Sequence, residues 1–364
     1  MSKIIPFKAI RAPRHLAHLL VTRPYYTYAK HVMDAKLESN PFSFLHIINP
    51  EHGLSDRHAT NSSERFSKVY DKFQEFLDLG YLVQEPLAMF YVYRQSLGDK
   101  SYTGLICGAD VKEYDNDQIK KHESTLTSRE ELFVKYLEIT GFNAEPVLIS
   151  HQSDAEINEF LKKICAGRPE YEFSTTDKLK HELWLVPQSE EDTIKSLYGK
   201  IENLYIADGH HRSASSSRLA ALKRSQGCKA DDPSQFFLSL LMDEDTLEIF
   251  PFHRVVRDLN NLEDTQFLEA IAESFDITPT MTFEPTNDKE LVMVLKNERY
   301  LLKPLASKVD FSHPTAGLST QYLTDLILEP ILHITDQKTS DRIEFISGFY
   351  GVEQTLRKLD KYPQ

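Results

Sequence analysis

The amino-acid sequence predicts an α+β protein, and three observations support that prediction. Two pairs of β-rich runs, 87–94 with 102–111 and 235–242 with 246–250, are each joined by a short polar turn, which is typical of hairpins. Residues 62–79 instead place apolar side chains at helical spacing after a Ser-Ser-Glu start. With 364 residues, of which 41% are hydrophobic, the chain has enough apolar surface for two or three domains.

The other elements follow from the same periodicity and turn signals, taken in chain order. The apolar run at 41–51 is interpreted as a buried strand closed by Asn-Pro. Gly141 marks the end of a helix that begins with Ser128 as its N-cap, and Pro330 bends or divides the last long helix. The remaining predicted strands are 4–11, 145–149, 182–186, 204–208 and a hairpin over 291–302, and the predicted helices are 128–139, 155–164, 190–200, the stretch from the Gly209 turn to 224, 265–275 and 319–332.

Composition and charge argue against several classes of function. A formal net charge of −13 disfavours general binding to a nucleic-acid backbone, so any anion site must be local. No run of 18 apolar residues occurs, and residues 1–10 lack the apolar core of a signal peptide, so we expect a cytoplasmic protein without a membrane span. The three cysteines, Cys107, Cys165 and Cys228, are far apart and in no zinc-like spacing, so free thiols are expected.

The stretch 204–215 organises the rest of the chain, and its pattern indicates a buried strand, a glycine turn and a helix. Gly209 permits a positive φ, and the free N–H groups at the start of the following helix suit an anion. Arg212 can bind a phosphate bidentately with its planar guanidinium, while Asp208 can bind a metal, a hydroxyl or a histidine nitrogen. An ordinary Asp-Gly turn needs no ligand, but five consecutive special residues favour a phosphate site over 209–213.

A second polar segment, Lys120-Lys121-His122-Glu123, lies on a predicted loop just before the helix 128–139. Glu123 is the natural candidate for a general base, because phosphoryl transfer to an alcohol needs an acceptor for the hydroxyl proton. The two lysines supply positive charge for phosphate. Taken by itself, such a loop is more often a solvated cluster of charges than a catalytic segment.

Four segments give the sequence a resemblance to a known family. The stretch Tyr-Ile-Ala-Asp-Gly-His-His-Arg at 205–212 resembles the signature of bacterial and archaeal proteins of unknown function related to the ParB/sulfiredoxin fold, some of which are free L-serine kinases. Segments 119–126, 250–256 and 334–348 are similar to other parts of that family and occur in the same order. In the sulfiredoxin branch a cysteine lies at the turn, whereas this chain has histidines there, so thiol chemistry is excluded at this site.

The resemblance implies a fold and an activity. The fold is a ParB/sulfiredoxin-like mixed core over 96–258, which contains both polar loops, with further α+β regions over 1–95 and 259–364. The activity is transfer of phosphate to the hydroxyl of free L-serine, which gives O-phosphoserine. Mg²⁺ and a donor, either ATP, ADP or pyrophosphate, are the implied cofactors, and the sequence does not choose among the three donors.

The resemblance also assigns roles to individual residues. His253 and Arg254 follow a predicted strand end and are equally well interpreted as a surface pair. The implied catalytic residues are Glu123, Asp208 and His210; the donor-binding residues are Gly209, His211, Arg212, Ser213 and Lys121; the substrate-binding residues are His122, His253 and Arg254; and Asp208 is also the metal ligand.

Two alternatives stay open at this point. The first is a non-catalytic nucleotide-binding or DNA-partition accessory protein, which the acidic charge and the lack of an evident basic recognition helix oppose. The second is a kinase or phosphatase that acts on another small hydroxylated metabolite. The sequence also leaves the oligomeric state open, although we expect neither nucleic acid nor membrane as a partner.

Overall fold

The computed structural model describes residues 2–123, 125–337, 340–348 and 351–359, and its architecture is α+β, as predicted. The chain forms two units, Met1–Glu248 and Ile249–Gln364. Two of the segments that suggested a family, 119–126 and 334–348, contain residues 124 and 338–339, which lie outside the described ranges. No helix within those ranges is both long enough and apolar enough to cross a lipid bilayer.

The first unit is built on a mixed sheet of nine strands. Its strands are β1 (Ile4–Ile5), β4 (Tyr91–Leu97), β5 (Lys100–Asp110), β6 (Ile119–Lys120), β7 (Val147–His151), β8 (Tyr171–Ser174), β9 (Lys180–Leu185), β10 (Leu204–Asp208) and β11 (Phe236–Asp243), and a separate ribbon pairs β2 (Ile10–Arg11) with β3 (Val83–Gln84). The order is β6-β10-β7-β11-β5-β4-β9-β8, and β1 lies against β5. The pairs β6–β10 and β7–β11 are parallel, whereas the other neighbours are antiparallel.

Several helices of the first unit, α4 and α7 among them, place their apolar side chains on one face. In α4, for example, Phe66, Val69, Phe73 and Phe76 are buried, and the Ser62 hydroxyl caps the helix by accepting from the Arg65 amide. The helices are α1 (Ala17–Leu20), α2 (Lys30–Ser39), α3 (Leu45–Ile48), α4 (Ser63–Asp78), α5 (Val111–Asp115), α6 (Thr127–Thr140), α7 (Ala155–Cys165), α8 (Glu191–Gly199) and α9 (His210–Ser225).

The main core of the first unit lies on one face of the large sheet. Alternate residues of the strands point into it, as Leu204 and Ile206 do in β10, and α7 and α8 cover them with side chains such as Ile157 and Ile194. These four side chains are at most 1% exposed. Ile119 of the edge strand β6 belongs to the same core, so burial of this side chain stabilises the strand in addition to its backbone pairing.

The second unit contains two small antiparallel sheets around its own core. The strands are β12 (Phe252–Val256), paired with β16 (Ile343–Ser347), and the order β13-β15-β14 of β13 (Phe275–Pro279), β14 (Leu291–Leu295) and β15 (Glu298–Pro304). The helices are α10 (Asp264–Ala272), α11 (Ser319–Leu323), which continues as a π-helical turn over Thr324–Leu328, and α12 (Val352–Leu359). The core contains Ile271, Phe275 and Tyr322.

Two of the predicted strands are wrong. The run 41–51 forms α3, because the Asn40 and Ser43 side chains accept from backbone amides two residues ahead and so start a helical turn. The predicted second hairpin does not form, since β11 pairs with β5 and β7 and is followed by a 3₁₀ turn at Glu244–Thr246. No local pattern in the sequence indicates these distant partners.

The other differences are smaller. The helix predicted from Ser128 begins one residue earlier and has Leu126 at its N-cap without a side-chain bond, although Gly141 ends it in the left-handed conformation as expected. Strand β8 and helix α2 were not predicted. The expected region boundary at 95/96 falls within β4, and the one at 258/259 falls shortly after the division between the two units.

The first unit also buries an acidic side chain. Glu113 in α5 is 6% exposed, and one of its carboxylate oxygens accepts from the Lys3 amide at 2.5 Å. The other oxygen has no hydrogen-bond partner in the described part of the chain. Burial raises the pKa of Glu113 to about 7, Asp110 adds to the rise, and Lys3 opposes it.

Because the folded state holds this proton up to a higher pH than the unfolded chain, the free energy of unfolding should fall as pH rises from 4.5 towards about 7. We expect Glu113→Gln to remove this dependence and to be more stable than the wild type at pH 8 by about 1–3 kcal/mol. Urea unfolding at several pH values measures the free energy of unfolding of each variant, with the exposed Glu159→Gln as the control. Parallel wild-type and Glu113→Gln curves would contradict it.

Candidate functional site

Strand pairing brings the two polar segments to one edge of the sheet. Strands β6 and β10 are adjacent and parallel, with Leu204 opposite Ile119 and Tyr205 opposite Lys120. Their carboxyl ends therefore meet at the same edge, and the loop that follows β6 lies beside the turn that follows β10. Strand β7 runs antiparallel to β10, so its first residues reach this edge too.

The turn after β10 has the conformation that its glycine predicts. Gly209 has φ 101° and ψ 28°, and α9 begins at the next residue. A β-carbon at Gly209 would lie 2.9 Å from Nε of Arg212, so the guanidinium lies directly against the glycine. A bulge at Ala207 shifts the register just before the turn, since Ile206 pairs with Ile149 but Asp208 pairs with Leu148.

His210 connects the turn to the loop. Its side chain is 4% exposed, and its Nδ1 lies 3.6 Å from Oε2 of Glu123, which is 53% exposed. The His122 amide donates to Nε2 of His210 at 3.4 Å, which makes Nε2 the acceptor and assigns the ring hydrogen to Nδ1, facing Glu123. The two imidazoles, His122 and His210, meet edge to face at 4.3 Å. The loop is thus bound to the first turn of α9.

The surroundings of His210 favour the neutral form of its imidazole ring. Burial lowers the pKa of His210, and the neighbouring His122 lowers it further, while Glu123 and Asp208 oppose both effects. A neutral, buried His210 suits a residue that positions Glu123, rather than an exposed group that exchanges protons. Its implied catalytic role stays a prediction.

Arg212 is held by the neighbouring strands. Its Nη1 donates to the Pro146 carbonyl at 2.7 Å and lies 3.1 Å from Glu145, and its Nη2 is ion-paired with Asp208. The carboxylates of Asp208 and Glu145 are 73% and 66% exposed. An anion bound at the turn must therefore share the guanidinium with two carboxylates. The contact with Glu145 was not predicted from the sequence.

The other implied donor-binding residues are placed differently from one another. Ser213 is fully buried, and its hydroxyl donates to the His210 carbonyl at 3.0 Å, which leaves this hydroxyl turned into the helix. The ammonium of Lys121 donates to the Tyr114 carbonyl at 3.0 Å and lies over the Tyr114 ring. His211 is partly buried, and its Nδ1 has no partner among the described residues.

A second anchor for the loop was missed from the sequence. The Thr125 hydroxyl donates to Glu130 at the start of α6, and the same carboxylate accepts from Arg218 of α9 at 2.7 Å. Glu130 is 9% exposed, whereas the Arg218 side chain is 42% exposed, so only the carboxylate of this ion pair is shielded from water. A glutamate in the first turn of a predicted helix is the one local signal for this anchor, because Arg218 is distant in sequence.

His253 and Arg254 belong to the second unit, whereas the other implied site residues belong to the first. Both lie in β12, which pairs with β16. Arg254 lies over the rings of Phe252 and Phe345 at 5.6 and 5.4 Å, and burial lowers the pKa values of both Arg254 and His253. Their implied contact with a substrate stays a prediction.

The described residues contain no group of three or more His, Cys, Asp or Glu side chains arranged around a metal position. Asp208 and Glu145 are two exposed carboxylates that both lie against Arg212 at this edge of the sheet. That is compatible with Mg²⁺, which often binds through one or two carboxylates and substrate phosphates while keeping several waters. The donor set does not suit a metal that needs a complete protein cage.

The family model described as a protein of unknown function (DUF1015) matches residues 4–327, and the chain therefore belongs to that family. No curated protein matches the chain, and neither does any solved structure.

The family assignment corrects the resemblance drawn from four short segments. The ParB/sulfiredoxin interpretation is wrong, because the match to DUF1015 extends over nearly the whole chain and brings no evidence for a ParB-like core or for a DGHHR family. Short polar motifs at turns recur in unrelated folds, since glycine turns and helix starts obey the same local physics everywhere. Functional roles therefore depend on this chain's own geometry.

Gly209→Ala should destabilise the protein by about 1–3 kcal/mol, because alanine at φ 101° is strained and its methyl group would collide with the Arg212 guanidinium. Gly227→Ala is the matched control, since Gly227 also has a positive φ of 86° but has open space around it. Thermal unfolding of both variants measures the difference. Equal losses would show that the contact with Arg212 adds nothing.

Proposed function

We propose that this protein is a small-molecule kinase that transfers a phosphoryl group to the hydroxyl of free L-serine. The observation that supports the proposal is the parallel pairing of β6 with β10, which brings the Glu123 carboxylate beside the first turn of α9. Phosphoryl transfer to an alcohol needs both a proton acceptor and positive potential for the phosphate oxygens. The edge where β6 and β10 end offers both, a carboxylate and a helix N-terminus.

Glu123 is the proposed base. Its exposed carboxylate takes the proton of the serine hydroxyl while that oxygen forms a bond to the transferred phosphorus. The bond from phosphorus to the bridging oxygen of the donor breaks, and the electron pair leaves with the donor's remaining phosphate. His210, whose Nε2 accepts from the His122 amide, positions this carboxylate and does not touch the reacting atoms.

The start of α9 is the proposed donor site. The first amides of a helix have no acceptor one turn back, and the dipole of a helix of 16 residues adds positive potential there. Arg212 lies against the same turn and can add charge-assisted hydrogen bonds to phosphate oxygens. His211 remains a proposed donor-binding residue through Nε2 only, because its unpaired Nδ1 is buried within the described part of the chain.

Asp208 is the residue that would hold Mg²⁺, together with oxygens of the donor. When bound, Mg²⁺ supplies charge neutralisation for the phosphates of ATP, ADP or pyrophosphate. This role relieves a conflict at the site, since Asp208 and Glu145 give the turn negative charge that would repel a free polyphosphate. The geometry does not select among the three donors.

The mixed charges of the edge suit an amino acid as the acceptor. Free serine is a zwitterion, and the exposed carboxylate of Glu145 can bind its ammonium group while Asp208 and Arg212 serve the metal and the donor. A neutral polyol would leave the charge of Glu145 unmatched, and uncompensated charges disfavour binding. The reaction is proposed for the cytoplasm, and it requires no nucleic acid.

The direct test is incubation of the protein with L-serine, Mg²⁺ and each donor in turn, followed by detection of O-phosphoserine by mass spectrometry. D-serine and L-alanine are the matched controls, because the first tests the handedness of the site and the second lacks the hydroxyl. Formation of phosphoserine with only one donor would identify that donor. A folded protein that forms none with any donor would refute the proposal.

Glu123→Gln should lower turnover roughly 10²–10⁴-fold, because the amide keeps the size of the side chain but cannot accept the proton. The melting temperature should change little, since the carboxylate is 53% exposed. Initial rates and thermal unfolding measure the two effects. Glu131→Gln, on the exposed surface of α6, is the control, and full activity in Glu123→Gln would remove this residue from the mechanism.

Arg212→Lys should weaken donor binding or turnover by about 1–3 kcal/mol, because lysine keeps the charge but loses the planar fork. Calorimetric titration of the donor and steady-state rates measure the loss. The contacts of Arg212 with Pro146 and Glu145 define the contrary outcome. If the arginine only braces the strands, the variant will lose stability while its affinity for the donor stays unchanged.

A further inference from the structure

A cavity of about 240 Å³ lies at the opposite edge of the large sheet, beside β8. Its lining includes Ala17, Tyr171 and Phe173, which belong to a small apolar cluster that also contains Ala12 and Leu16. This volume is below the roughly 300–1,000 Å³ typical of pockets for drug-sized ligands, so it suits a smaller molecule. The candidate site around Gly209 does not use this cavity.

The carboxylates that line or adjoin the cavity are all neutralised by arginines and lysines. Glu170 is ion-paired with both Arg11 and Arg14, and Glu172 is ion-paired with Lys180 at 2.8 Å. The ion pairs form two groups, one of Arg11 and Arg14 with Glu85 and Glu170, and one of Arg94 and Lys180 with Glu172 and Glu182. The charges balance within each group.

Arg168 lies outside both groups of ion pairs. It lines the cavity, is exposed, and makes no hydrogen bond or ion pair within the described residues. Its backbone is well placed, because the Trp184 indole donates to the Gly167 carbonyl at 2.9 Å and the following Pro169 restricts the conformation of Arg168. His18 lines the same cavity and is also exposed.

We propose that this cavity binds a small oxyanion, a carboxylate or a phosphate, at Arg168, with Arg14, which is ion-paired with Glu170, lining the same cavity. The planar fork of arginine matches both groups in a bidentate manner, and Tyr171 and Phe173 offer contact to a short apolar body. With a formal net charge of −13, the protein as a whole repels anions, so an arginine without a carboxylate partner, such as Arg168, can select this position. The site is independent of the proposed kinase reaction.

The test is calorimetric titration of the full-length protein with inorganic phosphate and, separately, with succinate, at low and constant ionic strength. We expect Arg168→Gln to lower the affinity for both probes about 10- to 100-fold, the range expected when a charge-assisted hydrogen bond is lost. Arg168→Lys should retain part of the affinity, because it keeps the charge without the fork. Each variant should melt like the wild type, since Arg168 has no partner to lose among the described residues.

Two further variants distinguish binding in the cavity from a general charge effect and from phosphate binding at the Gly209 turn. Arg57→Gln removes an exposed arginine that does not line the cavity, so it should leave both titrations unchanged. Arg212→Lys tests whether phosphate binds at the turn instead, and the succinate titration should be the same in this variant as in the wild type. Equal affinities in the wild type and Arg168→Gln, or an equal loss in Arg57→Gln, would overturn the proposal.

Discussion

The parallel pairing of β6 with β10 is the contact on which the candidate site depends. It is short, because β6 has only two residues, but Ile119 and Leu204 are both fully buried in the main core, and the Leu204 amide donates to the Gln118 carbonyl at 3.1 Å. Burial of those two side chains fixes the register, since a slip by one residue would turn them to the other face of the sheet. The loop with Glu123 can reach α9 only in this register.

Local elements of the fold were largely predictable from the sequence, and long-range partners were not. Helices α4 and α7 and the hairpin of β4 with β5 follow from periodicity, a capping side chain or a short turn, all of which lie within a few residues. The prediction for 41–51 failed because a short apolar stretch does not distinguish strand from helix. The strand predicted at 235–242 is confirmed as β11, but its predicted hairpin with 246–250 is wrong, because its partner β5 lies more than a hundred residues earlier and no local signal connects the two.

The candidate site was predictable in its residue types but only partly in its contacts. Glu123 and Arg212 were chosen because phosphoryl transfer requires a base and a cation, and the structure brings the Glu123 loop to the helix that bears Arg212. Lys121 and Ser213 were chosen by type as well, yet a carbonyl group satisfies each of them. The contacts of Arg212 with Glu145 and Pro146 could not be predicted, because they depend on an antiparallel neighbouring strand whose position the sequence does not reveal.

The contact of Trp184 with the Gly167 carbonyl has a spectroscopic consequence. Trp184 is the only tryptophan of the chain, is 3% exposed, and has the guanidinium of Arg94 at 4.8 Å from its ring. Intrinsic indole fluorescence in this protein therefore arises from one place, the β4–β9 side of the sheet next to the cavity. Emission changes report on that edge alone, and the turn at Gly209, several strands away, needs an introduced fluorophore to be observed.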